Sequence, residues 1–384
     1  MKKLVRITTV PVSLEKLLEN QAQYFSEFYE VILVSSEKER LERLGKVQGV
    51  ATHSIPLTRT ISPFKDLRCL YQMYRFFKKE KPDIVHTHTP KAGIIGMLAA
   101  FLARVPIKMH TIAGLPLMET KGLKRFVLMM VEKVTYRCAD WVYPNAKGLK
   151  TFVEEHRLCP SDKIKILGNG SSNGIDTQYF DPEKVSKSSM HSIKSNLRIG
   201  TKDFVFCFIG RLVGDKGINE LVHAFISLSQ KYPQIKLVLV GEEEKSLDPL
   251  HPETSIQIKN HPHIYPVGYQ NDIRPYLALS DIFVFPSYRE GFPNVVLQAS
   301  AMQVPSIVSN INGCNEIIRD QENGWWVPAK SIAVLIQKME EACTDTAKRT
   351  KFKQQLRSEI IANYEREHFW GLLKQQYQSH LNHV

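Results

Sequence analysis

No apolar run in this sequence reaches the roughly 18 residues that a membrane-spanning helix needs. A transmembrane helix is therefore not expected. Cysteine is sparse: six residues, at 69, 138, 159, 207, 314 and 343, with no Cys-x-x-Cys pair. That scatter favours free thiols in a reducing compartment over a disulfide framework or a cysteine zinc site. There is no short-period repeat. The opening "MKKLVRITTVPVS" is basic, but Arg6 and two threonines break its apolar run. It reads as a first strand rather than a signal peptide.

What is present is an ordinary enzyme composition with an unusual charge distribution. The 384 residues suffice for two domains, with 43% hydrophobic and 23% charged residues. Residues 1–180 hold 28 Lys and Arg against 17 Asp and Glu, whereas residues 181–384 hold 23 against 22. Nearly all of the net charge of +12 thus belongs to the first half, and residues 59–147 alone hold 16 basic and 6 acidic residues. Such a one-sided domain calls for an anionic partner: a lipid surface, a nucleic acid or a phosphorylated acceptor. A nucleic-acid reader would show a stacking platform or a reading helix, and neither is evident.

Strand patterns alternate with helical ones. "KLVRITTV", "YEVILVSS", "DIVHTH", "IKMHTI", "DWVYPNA" and "IKILGN" are strand candidates in the first half, with helical patterns at 64–80 and 123–139. "FVFCFIG", "IKLVLVG", "HIYPVG", "DIFVFP" and "PSIVSN" repeat the scheme in the second. Strands apolar on both faces and alternating with helices predict parallel sheets covered on both sides. The expected domains are 1–180 and 197–364, with the polar stretch 181–196 as linker. The tail 346–384 reads as one long helical pattern, and its last part, about 365–384, is expected to pack back on the first domain.

Three stretches offer chemistry. "IKILGNGSSNGID" places Gly168, Gly170 and Gly174 after a strand pattern, but no apolar helix follows to present an N-terminus to a dinucleotide. A glycine-rich loop is the better reading. "FVFCFIGRLVGDKGINELVHAF" carries Arg211 and Lys216 on a strand-to-helix loop, five residues apart, where both could grip one diphosphate or simply be solvated. "DIFVFPSYREGFPNVVLQAS" sets Glu290, Gly291, Phe292 and Pro293 at the mouth of a helix expected from near Asn294, with Gln298 further along it. Its backbone N–H groups make a second anion site, and Glu290 can accept hydrogen bonds from sugar hydroxyls. A hydroxyl-rich ligand carrying a diphosphate is a nucleotide sugar.

These motifs, with "VGYQNDIRPYLALSDIFVFPSYREGFPNVVLQASAMQVPSIVSNINGCNEII", "ENGWWV" and "PDIVHTHTPKAGIIGMLAAFLARVPIKMHTIAGLP", resemble the family-four retaining glycosyltransferases of GT-B fold, in their CapM-like capsule and exopolysaccharide branch. The resemblance runs over almost the whole chain. It implies an α/β architecture of two facing Rossmann-like, doubly wound domains with an interdomain cleft. It implies transfer of a sugar from a nucleotide sugar, here a UDP-sugar, to an undecaprenyl-diphosphate-linked saccharide with retention at the anomeric carbon. No cofactor or metal is expected. The enzyme would work in the cytoplasm at the inner face of the membrane, touching anionic lipid through its basic first domain and binding no nucleic acid.

Residue by residue, the resemblance makes Arg211 and Lys216 the diphosphate clamp and sets Glu290 near the donor sugar. The backbone of Gly291, Phe292 and Asn294, around Pro293, would meet sugar and phosphate oxygens. Val267 and Gly268 would hold the base, and His110 would lie near the sugar. Gln298 stands where the family usually has a second Glu, a ribose ligand. The usual glycine-rich turn after the first strand is also replaced, by "TTVPVSLEKLL". His88, Lys91 and Asn173 are weaker candidates at the acceptor side. His86 and His88 have the spacing of one strand face, but no third metal ligand is in view. Two rival readings remain at this point: a UDP-sugar epimerase of the same fold, and a nucleotide-sugar-binding protein without turnover.

Overall fold

The computed structural model describes residues 1–244 and 248–382, apart from the side chain of Glu119. Among the described residues, twelve strands form two six-stranded, all-parallel sheets. The first contains β1 (Lys3–Ile7), β2 (Glu30–Ser35), β3 (Ala51–Ser54), β4 (Ile84–Thr87), β5 (Ile107–Ile112) and β6 (Trp141–Pro144). The second contains β7 (Phe204–Ile209), β8 (Ile235–Val240), β9 (Ile264–Gly268), β10 (Ile282–Phe285), β11 (Ser306–Ser309) and β12 (Gly324–Val327). The spatial orders, β3-β2-β1-β4-β5-β6 and β12-β11-β10-β7-β8-β9, are the same topology twice. Each reverses direction once, between β1 and β4 and between β7 and β10. The loops leaving those strands are where doubly wound folds collect ligand-binding groups.

Both-face burial explains the strands: every residue of β4, β8, β10 and β11 is buried. Six helices matter below: α1 (Pro63–Glu80), α2 (Pro90–Ala103), α3 (Gly122–Cys138), α4 (Ile218–Lys231), α5 (Asn294–Ala301) and α6 (Arg366–Leu381). The chain forms two compact units, residues 175–365 and the rest. The boundary falls between Gly174 and Ile175, and residues 181–196 lie inside the second unit, with Lys187–Asn196 helical and capped by Ser186. α6 is part of the first unit. It sets Phe369, Trp370, Leu373 and Tyr377 among Leu4, Phe25, Tyr29 and Leu33.

Two sequence expectations differ from the structure, and two strands carry no sequence signal. "IKILGN" is not a strand: Ile164 makes one isolated bridge to Val142, and the chain then turns through positive φ at Gly168, Gly170, Ser171 and Gly174. The short edge strands β3 and β12 carry no alternating or long apolar signal of their own. The tail is two helices, Thr346–Tyr364 and α6, because extended Glu365 leaves the helix to bridge Ile175. No helix among the described residues is long and apolar enough to cross a membrane.

Candidate active site

In the second unit, the turn from β10 to α5 carries Glu290. The Lys216 ammonium forms an ion pair with its carboxylate, and Ser287 Oγ donates to Oε1 at 2.8 Å. The two side chains are only 18% and 15% exposed. Close backbone packing brings these distant residues together. Gly217, at φ +71°, lies under the turn so tightly that a Cβ would fall 2.2 Å from the Pro286 carbonyl oxygen. From the other side Gly313, at φ +76°, would place a Cβ 2.2 Å from the Gly291 oxygen. Asn312 Nδ2 donates to the carbonyls of Glu290 (3.0 Å) and Gly291 (2.8 Å). Ser287, Asn312 and Gly313 were not singled out from the sequence; they act by holding backbone and carboxylate in place.

The loop after β7 carries the other cation. Gly210 and Gly241 meet backbone to backbone, where a Cβ on Gly241 would fall 1.8 Å from the Gly210 oxygen. Arg211 follows, with its guanidinium half exposed and paired to Glu244. Asp215 is fixed through its N–H to Asp248 Oδ2 (2.6 Å), while its carboxylate accepts from Arg289 Nη2 (2.8 Å). Gly217 then opens α4. Pro293 is the residue before the first turn of α5, and Asn294 is its first residue. Phe292 is buried, its ring 5.6 Å from that of Tyr364. Gln298 is half-buried on α5. At the end of β9 the Val267 carbonyl accepts from Gln270 Nε2 (2.7 Å) and the Gly268 carbonyl from the Gly241 N–H (2.8 Å). Gly268 also lines a cavity of 640 Å³ with Leu212, Gly241, Glu242 and Pro266. Two cations, a held carboxylate and the backbone of adjacent βα loops can bind an anion and a polyol together.

In the first unit His110 is buried on β5, its Nδ1 2.7 Å from Thr87 Oγ1. Burial pushes its imidazole down to about 3, so it is neutral. Gly93 on α2 makes room for it; a Cβ there would sit 2.6 Å from His110 Cε1. His88 Nε2 lies 2.9 Å from Arg6 Nη2. Because guanidinium only donates, His88 accepts there and carries its proton on Nδ1. His86 bonds Tyr377 OH (2.6 Å) and Thr111 Oγ1 (2.8 Å) through its two ring nitrogens, whereas His88 Nδ1 is buried without a hydrogen-bond partner. Lys91 pairs with Asp66. Asn173 is buried and takes part in structural bonds only: Nδ2 donates to the Glu19 carbonyl (2.9 Å), and Oδ1 accepts from Gln21 Nε2 (2.8 Å) and Trp370 Nε1 (2.7 Å). Among the described residues no group of three His, Cys, Asp or Glu could hold a metal ion.

The family model "Glycosyl transferases group 1" matches residues 189–359, and "Glycosyl transferase 4-like domain" matches residues 13–170. The capsular polysaccharide biosynthesis glycosyltransferase CapM of Staphylococcus aureus is 32% identical over 99% of this chain and 98% of its own length. The UDP-Gal:alpha-D-GlcNAc-diphosphoundecaprenol alpha-1,3-galactosyltransferase of Escherichia coli is 32% identical over 75% of this chain and 73% of its own. Anabaena HepE, solved in complex with UDP, superposes with a TM-score of 0.83 at 18% identity, covering 99% of this chain and all of that one. The chain belongs to the family-four, group 1 glycosyltransferases of GT-B fold, in their CapM-like branch.

Proposed function

We propose that the enzyme transfers a hexosyl or N-acetylhexosaminyl group from a UDP-sugar to an undecaprenyl-diphosphate-linked saccharide, with retention, during assembly of a capsular, exopolysaccharide or O-antigen polymer at the inner face of the membrane. The observation that carries the reading is the convergence of Lys216 and Glu290 from adjacent loops, with Arg211 on the same loop as Lys216. Arg211 and Lys216 hold the diphosphate and stabilise the charge that builds on it as it leaves. The N–H groups of Gly291 and Phe292 meet donor oxygens, and Glu290 accepts from the sugar hydroxyls. Gln298 bonds the ribose, and the backbone at Val267 and Gly268 holds the base. The galactosyltransferase relative supports both the UDP-sugar and the lipid diphosphate. Neutral His110 can bond a sugar hydroxyl without placing a cation near an anomeric carbon that becomes positive in the transition state.

Retention is supported by how the nearby carboxylates are engaged. Glu290 is held by Lys216 and Ser287, Asp215 by Arg289, and Glu244 by Arg211. None of these is placed as a second-face nucleophile of a double displacement. The bond from C1 to the diphosphate breaks, the acceptor oxygen bonds C1 on the same face, and the hydroxyl proton passes to the departing diphosphate oxygen.

The test uses UDP-, GDP- and ADP-sugars with a prenyl-diphosphate saccharide, and NMR of the product anomer. A UDP-sugar should be the donor and the configuration should be kept. Lys216→Ala or Arg211→Ala should cost about 10²–10³ in kcat, the scale of a lost transition-state anion contact. Glu290→Ala should cost less and His110→Ala less again. An inverted product or a trapped glycosyl-carboxylate overturns the mechanism, and near-normal kcat in Lys216→Ala overturns the clamp.

A further inference from the structure

The first unit contains a cavity of 890 Å³ bounded by α1, α2 and α3. Its two ends differ in chemistry. One end is polar: Thr9, Thr89 and Lys91 line it where α2 begins. Thr89 does not cap α2; its hydroxyl instead accepts from the Thr9 N–H (3.0 Å) and lies 2.7 Å from Thr9 Oγ1. The first turn of this 14-residue helix has no acidic residue and no side-chain cap; Pro90 brings no N–H and the Gly93 N–H bonds the Thr89 carbonyl, which leaves the Lys91 and Ala92 N–H groups without an intrahelical partner. Arg59 and Lys124 also line the cavity. The remaining wall is aliphatic, made by Leu67, Leu70, Ile94, Leu98, Val127 and Val131. Outside it, the apolar surface continues over Phe64 (92% exposed), Leu123 (79%) and Phe126 (61%).

We propose that this groove receives the diphosphate and the first isoprene units of the lipid-linked acceptor, so that the enzyme reads the lipid carrier itself. The inference rests on the acceptor class proposed above. Arg59 and Lys124, with Lys91 shared between Asp66 and the ligand, and an uncapped helix start complement a diphosphate. The acids in the lining oppose this weakly, because Asp66 is paired to Lys91 and burial pushes the Glu132 carboxyl up to about 7. The aliphatic part of the wall offers an isoprenoid apolar contact and no hydrogen bonds. The volume lies within the range of about 300–1,000 Å³ typical of small-ligand sites. It accommodates a head and a short stretch of chain, not a whole undecaprenyl tail. The rest of the tail would leave along the exposed residues of α1 and α3.

The test is calorimetric titration of the full chain, free of vesicles and micelles, with inorganic diphosphate, geranyl diphosphate and geranylgeranyl diphosphate. Affinity should rise with chain length, by at least about tenfold from the first to the last. Leu67→Gln and Val127→Gln change exposed side chains that the fold tolerates. They should remove that rise while leaving UDP binding intact. Lys91→Ala should weaken all three ligands. No dependence on chain length, or an undiminished dependence in the two glutamine variants, overturns the groove. Tighter binding of dihexanoyl phosphatidylglycerol than of geranylgeranyl diphosphate also overturns it, by reassigning the groove to a bilayer lipid. UDP binding with no prenyl preference removes the groove alone. Prenyl preference without transfer to any prenyl-diphosphate saccharide keeps the groove and removes the acceptor reading.

Discussion

Within the proposed donor site, Gln298 separates recognition from catalysis most cleanly. A glutamate there would accept from both ribose hydroxyls with charge assistance, roughly twice as strong as neutral bonds. Glutamine accepts one and donates one, still matching a diol, and adds no negative charge near a diphosphate. Ribose contacts differ little between ground and transition states, so Gln298→Ala should raise the donor KM more than it lowers kcat. Gln298→Glu should stay within about tenfold of the parent, a change of about 1.4 kcal/mol. Loss of kcat at saturating donor in the alanine variant would make the residue catalytic. The buried imidazoles give a second expectation, in stability. Burial holds His86 and His88 well below the ordinary histidine range and His110 at about 3. Below an unfolded value of about 6.5 the unfolded chain takes up protons that these rings refuse, so stability falls with pH. Glu132, raised to about 7, acts oppositely: its contribution is full below its unfolded value and is lost as pH rises through 7. Three imidazoles outweigh one carboxyl, and Tm should fall by at least about 5 °C from pH 7 to pH 5. Glu132→Gln should raise Tm at pH 8 and leave it nearly unchanged at pH 4. A Tm that is flat between pH 5 and 7 would mean that these histidines are not buried and neutral.

At the scale of elements, the sequence makes both sheets legible, because strands buried on two faces are apolar throughout. β8 reads "IKLVLV" and β10 reads "IFVF". It does not reveal β3, "ATHS", whose half-buried edge position needs no apolar pattern, nor the break at Glu365, which tertiary bridging to Ile175 imposes on a helical sequence. The candidate site is legible to the same extent. Lys216 and Glu290 carry their chemistry in side chains and stand in recognisable loops. Asn312, Ser287 and Gly313 act through hydrogen bonds and contacts with backbone that only the folded chain brings near. Gly313 gives that difference a test. An alanine there meets the Gly291 oxygen at 2.2 Å and the Phe292 Cα at 3.0 Å, from a backbone at φ +76°. The loop or the β10–α5 turn must shift, at a cost of about 1–3 kcal/mol. Gly313→Ala should therefore lower Tm and weaken UDP-sugar binding together. Asn312→Ala, which removes two hydrogen bonds without a clash, should do so more mildly. Unchanged donor affinity in both variants would show that this loop does not hold the turn.

The chain places its net charge and most of its exposed large apolar side chains in the same unit. Residues 1–180 carry 28 basic and 17 acidic residues. On α1 and α3 the lysines stand beside Phe64, Leu67, Tyr71, Leu123, Phe126 and Met130, all exposed. An interfacial helix needs both features: apolar side chains to enter the headgroup boundary and cations to draw it to anionic lipid. The basic cluster is not uniformly available, however. Arg125 donates to His156 Nε2 at 2.9 Å and to the Leu117 carbonyl, so it braces the fold, whereas Lys78, Lys79 and Lys124 are exposed. Each such cation contributes about 1 kcal/mol at an anionic surface, and salt screens that part over a Debye length of about 10 Å at 0.1 M. The apolar part is not screened. The protein should thus co-sediment with phosphatidylglycerol vesicles at low salt and be released only in part at high salt. Lys78→Glu, Lys79→Glu and Lys124→Glu combined should remove the salt-sensitive fraction with Tm preserved. Phe64→Ser with Phe126→Ser should remove the salt-resistant remainder. Equal binding to neutral and anionic vesicles would sever the charge asymmetry from any membrane role and leave the acceptor diphosphate as its only proposed partner.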